Sequence, residues 1–154
     1  HFYPSGWVGD YKDLVLNDNV DKDCHSRKTC LEVIYSAKQE RGLGWAGIYW
    51  QDNVNNWTDA TYAFNLQGYK GLSFWAKGKR GGEKLSVIGS GGEKPNSTDV
   101  SMNSVELTDD WREYRIDLIS QNLTKIIHGF RFFLLKDDHP NGCSFYLDDI
   151  VFYK

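Results

Sequence analysis

Methionine occurs once in 154 residues, and proline and cysteine three times each. No apolar run nears the ~20 residues a helix needs to cross a bilayer, so membrane insertion is not expected. Lys and Arg total 18 against 21 Asp and Glu, a formal charge of −3. Without a basic excess or a run of like charge, nucleic acid is excluded as the main partner, because phosphate binding needs a positive patch. Internal repeats, low-complexity tracts and linkers are missing, and a single domain over residues 1–154 is expected. A chain of this size buries about 68–70% of its unfolded surface, so neither metal nor disulfide is needed merely to fold. The opening HFYPSGW holds no charged leader followed by an apolar stretch, and any secretion signal is expected to have been removed or never present. Catalytic constellations are missing too. His1, His25, His128 and His139 show no pairing with a nucleophile in a recognisable motif. The acid pairs Asp109–Asp110, Asp137–Asp138 and Asp148–Asp149 are sequence neighbours, which point to opposite faces of a strand, and Glu32 is a lone acid. None makes a two-carboxylate glycosidase site.

What the chain has is aromatics and glycine: six Trp, nine Tyr, eight Phe and fifteen Gly. Aromatic and β-branched residues fit pleated surfaces, and glycine supplies turns. Candidate strands recur between Gly, Asn and Asp breaks: 13–16, 30–36, 44–51, 71–77, 84–89, 104–107, 111–118, 129–135 and 144–153. A 3.6-residue period is not sustained, apart from room for one helical turn within 117–127. The expectation is an all-β, two-sheet antiparallel β-sandwich.

Gly44 to Trp57, GWAGIYWQDNVNNW, carries the functional expectation. Read as a strand, Ala46, Ile48 and Trp50 face a core, while Trp45, Gly47, Tyr49 and Gln51 face away from it. Flat rings beside neutral amides suit a sugar, whose C–H face stacks on a ring while its hydroxyls take amide bonds. Each same-face step along a strand is roughly 6.6–7 Å, near one sugar ring, so Trp45 and Tyr49 are expected to hold consecutive units. Trp75 in GLSFWAK also faces away from its apolar neighbours and is expected to extend the platform. Gln51, Asn56 and Arg131 are the expected hydrogen-bonding partners, Arg131 because a guanidinium grips adjacent hydroxyls. Trp7 and Trp111 are expected to cover sheet edges. Three N-x-S/T sequons, at Asn56, Asn96 and Asn122, matter only in a eukaryotic secretory setting.

Cys24 and Cys30 flank five residues, a spacing that suits a small disulfide loop worth about 2–2.5 kcal/mol in the chain-entropy model. Two free thiols, or a zinc site with His25, are the alternatives. Cys143 is expected to be a small buried hydrophobe.

The closing FYLDDIVFYK, with GWAGIYWQ, GLSFWAKG and WREYRIDL in the same order, resembles the jelly-roll carbohydrate-binding modules of the galactose-binding-like fold. The resemblance covers essentially the whole chain. It implies a non-catalytic module for a β-linked polysaccharide or oligosaccharide, attached to a larger extracellular protein such as a glycoside hydrolase. It also implies a structural calcium, with Asp148 as its first candidate ligand and Asp10 as a second. Asp21 and Asp23 form an alternative acidic cluster. The rival readings are a structural or adhesion sandwich that binds no sugar, and a small jelly-roll lyase or hydrolase.

Overall fold

The computed structural model describes every residue except Arg27, which lies inside the Cys24–Cys30 loop. Its strands are β1 (Tyr3–Gly9), β2 (Leu14–Val20), β3 (Cys30–Tyr35), β4 (Trp45–Gln51), β5 (Gly71–Gly78), β6 (Lys84–Gly91), β7 (Asp99–Glu106), β8 (Arg112–Asp117), β9 (His128–Leu135) and β10 (Cys143–Tyr153). They form two five-stranded sheets, ordered β1-β4-β9-β6-β7 and β2-β3-β10-β5-β8, with the pairs inside them antiparallel. This is the expected sandwich.

Alternation builds the space between the sheets. The first sheet sends in Ala46, Ile48 and Trp50 from β4 and Phe130, Phe132 and Leu134 from β9. The second sends in Leu72, Phe74 and Ala76 from β5, with Phe145 and Leu147 from β10. Rings meet edge to face: Trp50 on Phe130 at 5.1 Å, and Phe132 on Phe145 at 5.2 Å. Such pairs add about 0.5–1.5 kcal/mol each beyond the area they bury.

Two local expectations fail. β1 was not among the candidate strands; its YPSGWVG sequence holds a proline and two glycines. As an edge strand it tolerates Pro4, which sits at a register shift against β4. Residues 118–127 hold no helical turn. Instead a turn closes with Gln121 N–H donating to the Leu118 carbonyl, and Ile126 bridges to Phe64. Buried Leu118, Leu123 and Ile126 tie the segment to the core. The Cys24–Cys30 disulfide is formed, so the free-thiol and zinc alternatives fall away.

Candidate functional site

With the even-numbered residues of β4 turned to the core, the odd-numbered ones form the outer face of the first sheet. Across the β4–β9 pair, Trp45 lies opposite Leu135, Gly47 opposite Phe133 and Tyr49 opposite Arg131. Trp45 and Tyr49 are two same-face steps apart, about 13 Å, so they do not hold consecutive sugar units by themselves. Nor is the place beside Gly47 a gap. A Cβ on Gly47 would come within 2.1 Å of Phe133 Cδ1 and 2.5 Å of the Phe132 carbonyl, so the missing side chain is what lets the Phe133 ring lie across β4. Phe133 thereby joins the two rings: it stands 5.7 Å from Trp45 and 5.5 Å from Tyr49, edge to face with both. Trp57 continues the line, 5.6 Å from Tyr49 at 78°. The four rings border an open groove of about 650 Å³, floored in part by Val87. That volume falls within the range of about 300–1,000 Å³ usual for ligand pockets. Tyr49 is only 5% exposed and serves as backing, whereas Trp45, Trp57 and Phe133 are half-buried and present ring surface.

Sequence reasoning gave no role to Phe133 and named Trp57 only as the end of GWAGIYWQDNVNNW. Phe133 was visible as the outward residue of GFRFFLL, but its place over Gly47 depends on the register between strands more than 80 residues apart.

The expected polar partners build this surface and do not face a ligand. Gln51 is fully buried; its Nε2 donates to the Asn56 carbonyl at 2.8 Å, and its Oε1 accepts from Ser5 Oγ at 2.9 Å. Asn56 ties the loop that carries Trp57. Its Nδ2 donates to the Asp52 and Asp59 carbonyls, both at 2.9 Å, and its Oδ1 accepts the Asp59 N–H at 2.8 Å. Arg131 is 4% exposed, donates to the Gly91 carbonyl and the Asp99 carboxylate, and lies 5.9 Å from the Tyr49 ring centre. A Cβ on Gly92 would sit 1.3 Å from its Nη1, so glycine is what admits the guanidinium there.

Under Tyr49 and Trp57 lies His128, which the sequence left without a role. Its ring is 4.8 Å from Tyr49 and 5.7 Å from Trp57. Nδ1 faces Asn96 Nδ2 at 2.5 Å, and Nε2 faces Gln51 Nε2 at 3.3 Å. Burial is the main cause that pushes its pKa down to about 4; the Arg131 charge adds to it, and a hydrogen bond to the Asn56 carbonyl opposes it. Burial likewise pushes Tyr49 up to about 12, with Arg131 opposing and Glu93 and Asp99 assisting. Both side chains are neutral at pH 7.

Trp75 does not belong to this groove. It sits on β5 in the second sheet, opposite Asp148 of β10, with the His25 ring stacked on it at 3.5 Å and 14°. One sequence alternation fits either sheet, and only the pairing order separates them. Trp111 lies 6.2 Å from the same His25 ring, its Nε1 donating to the Asp23 carbonyl at 2.6 Å.

The two aspartates expected to share calcium stand apart, Asp10 just after β1 of the first sheet and Asp148 on β10 of the second, and each is engaged by N–H groups. Asp10, fully buried, accepts N–H bonds from Arg41, Leu43 and Gly44 at 3.0, 3.0 and 2.6 Å. Burial alone would raise its pKa, but these bonds and the Arg41 charge outweigh it and hold the carboxyl below its usual range. Asp148 Oδ2 accepts from the His25 and Ser26 N–H groups at 3.1 and 3.2 Å, and Oδ1 accepts from Asp149 N–H at 2.8 Å. Calcium needs six to eight oxygens, and these oxygens already face hydrogens. Among the described residues, no three His, Cys, Asp or Glu side chains gather to hold a metal. Asp10 instead clamps the turn before β4, and Asp148 clamps the disulfide loop.

The sandwich with an aromatic groove on one sheet defines a class, the carbohydrate-binding β-sandwich modules. The family described as Carbohydrate binding domain 30 matches residues 6–154, and the chain belongs to it. It is a non-catalytic carbohydrate-binding module. Among solved structures, it is similar to the family 30 carbohydrate-binding module of the cellulosomal cellulase Cel9D-Cel44B of Clostridium thermocellum, at 20% identity over 97% of this chain and 91% of that one, TM-score 0.62. The family 11 module of the Clostridium thermocellum cellulosomal cellulase Lic26A-Cel5E shares 12% identity over 96% and 87%, TM-score 0.56. The CBM22-1 xylan-binding domain of Paenibacillus barcinonensis Xyn10C shares 12% over 97% and 85%, TM-score 0.54. At these identities the likeness shows the fold. A comparison with curated protein sequences gave no match. Among the described residues, no helix is long and apolar enough to cross a membrane.

Proposed function

We propose that the module binds a neutral β-linked glucan laid along the outer groove of the first sheet. The observation that carries this is the unbroken line of rings, Trp45, Phe133, Tyr49 and Trp57, with 5.5–5.7 Å between neighbours. Trp45 and Trp57 offer stacking surface at its two ends, and Phe133 lies between them. A neutral ligand fits the charges. Lys84 on the groove is tied to Asp138 at 2.8 Å, and Arg131 is spent on Asp99 and Gly91, so among the described residues no cation at the groove is left free for an acidic chain. A solved relative is described as a module of a cellulase, which favours a β-glucan over other neutral glycans. The formed disulfide favours an oxidising, extracellular setting, and the similar module of a cellulosomal cellulase favours attachment to a larger protein.

The test is calorimetric titration with cello-, xylo- and mannohexaose. Cellohexaose is expected to bind best, and Trp45→Ala or Trp57→Ala to weaken it about tenfold or more, the loss of at least ~1.4 kcal/mol of stacking. Undiminished binding by a Trp45→Ala/Phe133→Ala/Trp57→Ala variant would remove the groove from the mechanism.

A further inference from the structure

Besides Lys84 and Asp138, which neutralise each other, one charged side chain stands among the described residues lining the groove: Glu93. It is exposed, on the loop between β6 and β7, yet its backbone is fixed. Its carbonyl accepts from Asn96 N–H at 2.9 Å and from Asn96 Nδ2 at 2.5 Å. Asn96 Oδ1 in turn accepts the Ile127 and His128 N–H groups at 2.5 and 3.0 Å, which pins the loop to the start of β9. Glu93 and Tyr49 line the same groove, and the Glu93 charge helps to raise the pKa of the Tyr49 hydroxyl.

We propose that Glu93 determines ligand specificity: it accepts hydrogen bonds from the hydroxyls of a neutral glucan and repels glycans that carry carboxylates. A carboxylate has about four lone-pair sites, so Glu93 has acceptor capacity for sugar hydroxyls, which are donors. The same charge meets a uronate or carboxymethyl group without a cation to offset it. At about 5 Å in water, one such like-charge contact is worth about a fourfold change in affinity, and replacing it by an attraction doubles the energy to more than tenfold. The inference rests on the groove reading, and its test separates the two.

Affinity electrophoresis of the wild type, Glu93→Gln, Glu93→Lys and Trp57→Ala would compare hydroxyethylcellulose, which is neutral, with carboxymethylcellulose, which is anionic, at low salt and at 0.15 M. The wild type is expected to prefer the neutral polymer. Glu93→Gln should narrow that preference about fourfold and Glu93→Lys reverse it, with salt shrinking both effects because screening acts over about 8 Å at 0.15 M. An unchanged preference in both variants at low salt, with Trp57 still required for binding, would overturn the role of Glu93 alone. Polymer binding that ignores both Glu93 and Trp57 would overturn this role together with the groove.

Discussion

Gly47→Ala is the smallest change that probes the aromatic line. The added carbon would stand 2.1 Å from Phe133 Cδ1 and 2.5 Å from the Phe132 carbonyl oxygen, both far inside van der Waals contact. The half-buried ring can swing outward, but the carbonyl belongs to the β4–β9 ladder and cannot move without breaking it. Overpacking of this kind costs about 1–3 kcal/mol. For a domain of this length that corresponds to a fall in Tm of about 3–9 °C. Displacing Phe133 also opens the line between Trp45 and Tyr49, so cellohexaose affinity should drop with stability. Ile48→Val, one residue along on the core side, supplies the contrast. It should cost about 0.5–1.5 kcal/mol and leave affinity alone. Differential scanning calorimetry and titration of the two variants decide the matter. A Gly47→Ala protein with wild-type Tm and affinity would mean that Phe133 does not lie over β4.

Acid should weaken the fold through His128. Its folded pKa, near 4, is below the ordinary imidazole value of 6.5, so its share of stability is complete above pH 6.5 and lost as pH falls toward 4. At about 1.4 kcal/mol per pH unit, the gap between 6.5 and about 4 sets an upper limit of about 3–4 kcal/mol. Urea midpoints at pH 7 and 4.5 should show that loss, and His128→Gln should flatten it. Calcium should do nothing at Asp10 and Asp148. A site held at 100 times its Kd would add about 2.7 kcal/mol, so equal Tm values in excess calcium and in EDTA are expected, and a clear calcium-dependent rise would restore the ion. Replacing Cys24 and Cys30 by serine should cost about 2 kcal/mol while glucan affinity stays constant, because the disulfide loop lies against the second sheet. A matching loss of affinity would place the ligand on that sheet.

The sequence spoke most clearly where one residue's neighbours decide its direction. GWAGIYW put Ala46, Ile48 and Trp50 inside and Trp45 and Tyr49 outside, and both halves of that reading hold, because a buried face enforces a two-residue period. What depended on other strands was hidden. Trp75 obeys the same alternation as Trp45, yet it stands on the opposite sheet, since period says inside or outside and not which outside. Phe133 acquires its place only from pairing with β4. Gln51, Asn56 and Arg131 were sound as hydrogen-bonding types, but the chain's own carbonyls, amides and carboxylates claim them first, as buried polar groups require. Asp10 and Asp148 show a related ambiguity: an aspartate that orders a loop by accepting N–H bonds looks, in sequence, like one that waits for a cation.

The decisive measurement is a crystal structure of the protein with cellohexaose. Electron density for the sugar chain is expected across the first sheet, with pyranose faces on Trp45 and Trp57, Phe133 beneath the middle units and the Glu93 carboxylate within hydrogen-bonding distance of a hydroxyl. Density over Trp75 and Trp111 on the second sheet, with the groove bare, would show that the saccharide is held on the other side of the sandwich.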